Sequence, residues 1–98
     1  MRIIRNDTVF EWDENKERIN KQKHKLSFTT ALQVFNDDNR IEKYDSVHSF
    51  DEDRYIAIGT VNDITFVVTV SYTPRDEAIR IISARKATKQ ERGLYYDN

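Results

Sequence analysis

The chain has 98 residues, 34% charged and 38% apolar, and its 17 carboxylates against 16 Lys and Arg give a formal net charge of −1. A chain of this length holds a single core. Without Cys there is no disulfide framework, thiolate zinc site or thiol nucleophile, and two His make a poor metal set. No apolar stretch approaches the ~20 residues of a membrane span, and no signal-peptide core follows Met1-Arg2-Ile3-Ile4-Arg5, so a cytoplasmic domain is expected. The charge is sorted along the chain: residues 1–28 carry seven basic and five acidic side chains, residues 29–63 three and eight, residues 64–98 six and four. Basic ends brought together by the fold would attract a polyanion; charges that only solvate the surface would not.

The first eight residues look like an extra N-terminal segment on a single domain spanning 1–98. Val9-Phe10-Glu11-Trp12 reads as a short strand, and Asp13 caps a helix from Glu14 to His24. That helix is unusually polar. Ile19 is its only strongly apolar residue, in seven-residue register with Trp12 and Leu26, so flanking contacts or a partner must hold it. Ser27 begins a second helix, Phe28 to Phe35, with Phe28, Ala31, Leu32 and Phe35 as a core stripe. Arg40 to Asp45 reads as an edge strand and Ser46 to Asp53 as a polar loop. Tyr55 to Val61 is a strand, Asn62-Asp63 a tight turn, and Ile64 to Tyr72 the returning strand. Thr73-Pro74-Arg75-Asp76 turns the chain into a last strand, Ala78 to Ala87. Thr88-Lys89-Gln90-Glu91 is a capping box opening a short helix to about Tyr96. The fold class is therefore α+β: a short N-terminal strand, two helices, an antiparallel meander of three to four strands and a short C-terminal helix. The helices cover one sheet face; Thr65, Thr69, Ser71, Arg80 and Lys86 project from the other, left open.

Alternation puts Arg80 with Lys86, and Arg85 in line with Ile79, Ile81 and Ser83. Arg80, between isoleucines, needs a reason: a cross-strand carboxylate or a function. The Arg85 fork suits a phosphate or a carboxylate equally. His24 is either a helix-end cap favoured by the dipole when protonated, or a functional imidazole. His48 lies in an acidic loop whose carboxylates favour its protonated form; the same loop could equally bind a cation or nothing at all. Asp51-Glu52-Asp53 lacks the spacing of a calcium loop. No phosphate-binding Gly loop, nucleophile elbow or His-Glu-x-x-His occurs, so motifs alone indicate no enzyme.

Phe10-Glu11-Trp12-Asp13-x-x-Lys16 followed by Asn20-x-x-Lys23-His24-x-x-Ser27-Phe28 resembles the start of BrnT-family toxins. Ala31-x-x-Val34-Phe35-x-Asp37 and His48-Ser49-x-x-Glu52-x-Arg54-Tyr55-x-x-Ile58-Gly59 continue the likeness. So do Tyr72-Thr73-x-Arg75 and Arg80-Ile81-Ile82-Ser83-Ala84-Arg85-x-Ala87-x-x-x-Glu91-Arg92-x-x-Tyr95. The resemblance runs from about residue 9 to 96. It implies a RelE-like fold and the toxin half of a type II toxin–antitoxin pair: a metal-independent ribonuclease that inhibits translation and needs no cofactor. It also implies a hetero-oligomer with a BrnA-type antitoxin, a DNA-binding protein whose complex represses its own operon. Family members commonly have Gly after the Lys-His pair, where this chain has Lys25, which puts a left-handed cap there in question.

RNA cleavage without metal needs a base for the 2′-hydroxyl, cations for the phosphorane and an acid for the leaving oxygen. Under this resemblance Arg80 and Arg85 clamp phosphate, assisted by Arg54 and Lys23. His24 or Glu52 is the base, and His24 or a Tyr near the C-terminus the acid. Lys16, Lys21, Lys23 and Lys86 supply further RNA contacts. The alternative is a non-catalytic module that binds RNA or a partner in a repressor complex.

Overall fold

A computed structural model describes residues 1–62 and 65–97. Asp13 starts the first helix as expected: its backbone is extended, and its carboxylate accepts from the Asn15 and Lys16 N–H groups at 2.8 and 3.1 Å. Helix α1 (Glu14–His24) then ends on Lys25, which sits in the left-handed region at φ 60°. A side chain there costs roughly 1–2 kcal/mol relative to a right-handed residue. The Lys25 N–H returns to the Lys21 carbonyl at 3.0 Å and its Nζ to the Gln22 carbonyl at 2.9 Å, offsetting part of that cost. The cap therefore forms without Gly.

Ile19 does not join the core: it is 48% exposed while Trp12 and Leu26 are buried. The residue that seats α1 is Asn20, buried to 6% exposure. Its amide donates to the Ala84 carbonyl at 2.8 Å and accepts from the Ala84 N–H at 3.1 Å, as a neighbouring strand would. The same amide donates to the Leu26 carbonyl at 3.0 Å. A fully bonded buried amide holds a polar helix where apolar contacts are scarce.

The second helix is shorter than its apolar stripe suggests. α2 (Phe28–Ala31), capped by Ser27, passes into a tighter three-residue-per-turn segment, Leu32–Asn36. The tighter winding turns Val34 fully inward and leaves Phe35 half-buried.

Six strands form one mixed sheet in the order β1-β2-β6-β5-β4-β3. Residues 1–8 contribute β1 (Arg2–Arg5), joined to β2 (Thr8–Glu11) by a two-residue turn with positive φ at both Asn6 and Asp7. β2 runs parallel to β6 (Ala78–Lys86). The remaining strands, β3 (Ile41–Tyr44), β4 (Tyr55–Gly59) and β5 (Val68–Arg75), form the expected antiparallel meander with β6. β4 stops at Gly59, where a Cβ would sit 3.1 Å from Val34 Cγ1 and 3.2 Å from the Asp37 carboxylate. The expected Asn62-Asp63 turn and the start of the next strand at Ile64 fall partly on Asp63 and Ile64, outside the described residues. β5 itself begins at Val68. At its other end β5 continues through Thr73-Pro74-Arg75, expected as a turn, and reverses at Asp76 (φ 55°) and Glu77. Pro74 is tolerated because β4 ends opposite Tyr72, so no neighbour awaits its missing N–H.

Tyr72 pairs with Ile81, and Ser71 with Ser83, so Ile82 is the extra residue of a bulge. This corrects the alternation. Arg80 pairs with Thr73 and Arg85 with Thr69, four residues apart on β5, so both arginines point to the same face.

The main core, including Phe10, Trp12, Phe28, Leu32, Val70 and Ile81, lies between the sheet and α1/α2. The other face is not fully open. α3 (Lys89–Tyr96) covers one end of it, over Ile58, Val67 and Ala87. Thr69, expected at an open surface, is 1% exposed and donates to Glu91 at 3.0 Å. The helix is pinned again at its far end, where Tyr95 donates to Asp37 at 2.5 Å.

Candidate active site

The alternation of β4, β5 and β6 puts Ile56, Ser71 and Ser83 on the floor of a cleft of about 450 Å³. Lys43 from β3, Arg54 and His48 form one wall; Arg85 and Glu91 form the other. The first wall is a closed loop. The Asp45 N–H donates to the Arg54 carbonyl at 2.8 Å. Ser49 Oγ donates to the Asp45 carbonyl at 2.7 Å and accepts from the Arg54 N–H at 2.9 Å. Within the loop, the Asp45 carboxylate lies 2.8 Å from His48 Nδ1.

On the opposite wall the Arg85 fork donates to both Glu91 oxygens, at 2.6 and 3.0 Å. Glu91 is at once the capping-box residue of α3, accepting from the Thr88 N–H at 2.9 Å, and the acceptor for Thr69. Burial pushes its carboxyl up, but Arg85, the Thr88 N–H and Thr69 together bring it down to about 2. The bond to Glu91 raises the already high pKa of Arg85 against its own desolvation, and the Asp45 charge adds to the effect. Arg85 stays cationic and keeps its side chain 35% exposed toward the cleft.

A second depression, of about 210 Å³, lies on the α1 side of β6. Lys16, Ile19, Lys23 and His24 line it, and it meets the cleft at Ile82 and Ser83, which border both. Burial, then the charges of Lys23 and Arg85, lower the His24 pKa from the ordinary imidazole value. Those same causes weigh against a protonated helix-end cap, one of the two expected roles.

Of the residues singled out from the sequence, Arg85 and Arg54 meet in the cleft, and Lys16, Lys23 and His24 share the adjoining depression. Arg80 is elsewhere: its guanidinium donates to Glu11 at 2.8 Å beside Arg2, along the sheet from the cleft. Glu52 pairs with Arg75 at 3.1 Å and does not line the cleft. Lys86 lies over the Phe66 ring, 5.3 Å from its centroid, and Lys21 is exposed on α1 without lining either depression. Sequence reasoning passed over Lys43 and the His48–Asp45 pair. The i,i+3 spacing of Asp45 and His48 on a single tight turn was the available signal.

Among the described residues no group of three His, Asp or Glu is placed to hold a metal ion, and no helix is long and apolar enough to cross a membrane.

The model of one protein family, BrnT, the ribonuclease toxin of a type II toxin–antitoxin system, matches residues 12–91. The chain belongs to that family. The matched span, Trp12 to Glu91, takes in the whole cleft and leaves β1 outside. Membership of a type II system implies an antitoxin partner for this BrnT toxin. A comparison with curated proteins found no match.

Proposed function

We propose that this chain is a metal-independent endoribonuclease that inhibits translation by cutting RNA across the cleft, with a RelE-like architecture. In this reading a BrnA-type antitoxin, itself DNA-binding, neutralises it in a hetero-oligomer that represses its own operon. The observation that carries the reading is the convergence of Arg85, Arg54 and Lys43 around a small, serine-lined floor. Phosphoryl transfer from the 2′-hydroxyl gathers negative charge on the non-bridging oxygens, and fixed cations stabilise that charge more in the transition state than in the ground state. Arg85 is the principal phosphate ligand because Glu91 aims its fork while part of its donor capacity remains for a phosphate. Arg54 and Lys43 face it from the other wall. Lys23 and Lys16 extend the cationic track through the junction at Ile82 and Ser83, with His24 beside them to meet a base edge. Arg80, Lys86 and Lys21 make outlying contacts, and Glu52 is assigned no step because Arg75 engages it.

The carboxylates that hold both arginines, Glu11 and Glu91, favour a second reading, a module that binds RNA or a partner in a repressor complex without cutting. Labelled RNA incubated with purified protein in EDTA separates the two. The ribonuclease reading expects cleavage that survives EDTA and falls at least about 100-fold in Arg85→Ala. The binding reading expects a steep salt slope and intact RNA after long incubation.

A further inference from the structure

The cleft contains a group suited to the proton transfer that none of the assignments above requires. We propose that His48, oriented by Asp45, is the base that accepts the 2′-hydroxyl proton; this rests on the ribonuclease reading. The Asp45 carboxylate at 2.8 Å from Nδ1 holds the ring proton on that nitrogen and leaves the Nε2 lone pair free. The ring side chain is 59% exposed on the cleft wall, while Asp45 beneath it is 19% exposed. Its carrier loop is tied at both ends by the Asp45–Arg54 backbone bond and by Ser49, so the backbone that bears the ring is fixed by the loop's own hydrogen bonds.

The two other candidate bases are worse placed. A base becomes an imidazolium once it has taken the proton, and at His24 burial, then the charges of Lys23 and Arg85, oppose that change. His48 would make it against the Asp45 carboxylate, which stabilises the cation as it forms. Glu52 is engaged by Arg75 outside the cleft. His48 Nε2 takes the 2′-hydroxyl proton, O2′ bonds to phosphorus, and the P–O5′ bond breaks with its electron pair on O5′. O5′ takes a proton from a solvent water, the His48 imidazolium returns its proton to the hydroxide so formed, and the products are a 2′,3′-cyclic phosphate and a 5′-hydroxyl end. Arg85, Arg54 and Lys43 cover the non-bridging oxygens meanwhile. Asp45 acts through His48 and is a positioning residue.

The experiment compares wild type, His48→Gln, His48→Gly and Asp45→Asn on a labelled RNA, measuring kcat, KM and binding separately. His48→Gln is expected to lower kcat by about 100-fold or more with KM within about twofold of wild type. His48→Gly is expected to regain cleavage when imidazole is added, which a merely structural ring would not show. Asp45→Asn should lower kcat with KM unchanged. Cleavage by His48→Gln at the wild-type rate, while Arg85→Ala has lost it, overturns the dyad and leaves the ribonuclease reading intact. A His48→Gln defect that lies wholly in binding overturns it too. Wild-type protein that binds RNA and never cuts it overturns both.

Discussion

Arg80 and Arg85 lie on one strand, point to one face and are each held by a glutamate, yet their surroundings differ. Arg85 faces a concave wall that carries Arg54, Lys43 and His48; Arg80 faces a shallow patch shared with Arg2 and Glu11. The glutamates differ as well. Glu11 pairs across the parallel β2–β6 junction and also meets Arg2, 3.5 Å away, at the exposed edge. Glu91 is built into the start of α3, with its carboxylate saturated by Arg85, Thr69 and Thr88. An arginine becomes a site when the opposite wall offers it company; a salt bridge alone does not distinguish structure from function.

That contrast can be broken most sharply by deletion. Arg85→Ala is expected to reduce RNA cleavage at least about 100-fold, as loss of a transition-state charge contact does, while Arg80→Ala stays within about fivefold. Equal losses in single-turnover assays would erase the distinction. Removing the glutamates is the next test. Glu91→Gln should cost about 1–3 kcal/mol in denaturant unfolding because it disrupts a partly buried charged network, whereas Glu11→Gln should cost less than about 1 kcal/mol.

Acid should act on the same asymmetry. Glu91 and Asp37 both titrate at about 2, where free carboxyls have usual values of 4.5 and 3.8. For Asp37, burial works against the shift and the bonds from Tyr95, Thr60 and Asn39 overcome it. A depressed folded pKa contributes stability that is complete above about pH 5 and is lost as pH falls toward 2. Melting temperature followed from pH 6 to 2.5 should therefore fall, and Asp37→Asn should flatten that fall while lowering the plateau. The smallest effect is expected on α1: Lys16→Ala and Lys23→Ala should each weaken RNA binding a few-fold and reduce its salt slope by roughly one unit or less.

Local chemistry was readable in the sequence. Asp13 capping α1, the Thr88–Glu91 box and an antiparallel meander, expected with three to four strands and found with four, follow from short-range rules. What escaped has a common cause in long-range pairing. The single extra residue Ile82 reversed the side assigned to Arg80 relative to Arg85, because period-two counting has no way to register a bulge. Glu11 meets Arg80 across 69 positions, and Tyr95 meets Asp37 across 58. The open face was over-read, since a short helix after the last strand can fold back onto the sheet, as α3 does over Thr69 and Ile58. For the candidate site, the guanidinium of Arg85 stood out by its position near a strand end, whereas His48 was masked by the acidic loop around it.

The amide of Asn20 has a consequence beyond seating its helix. Past the short stretch shared with β2, the outward backbone groups of β6 at Ala84 meet no further strand, and a single buried side chain takes that place. Exchange for Leu would keep much of the bulk yet release one amide proton and one carbonyl at a ready-made docking edge. One carboxamide thus closes the sheet where a further strand would otherwise have to.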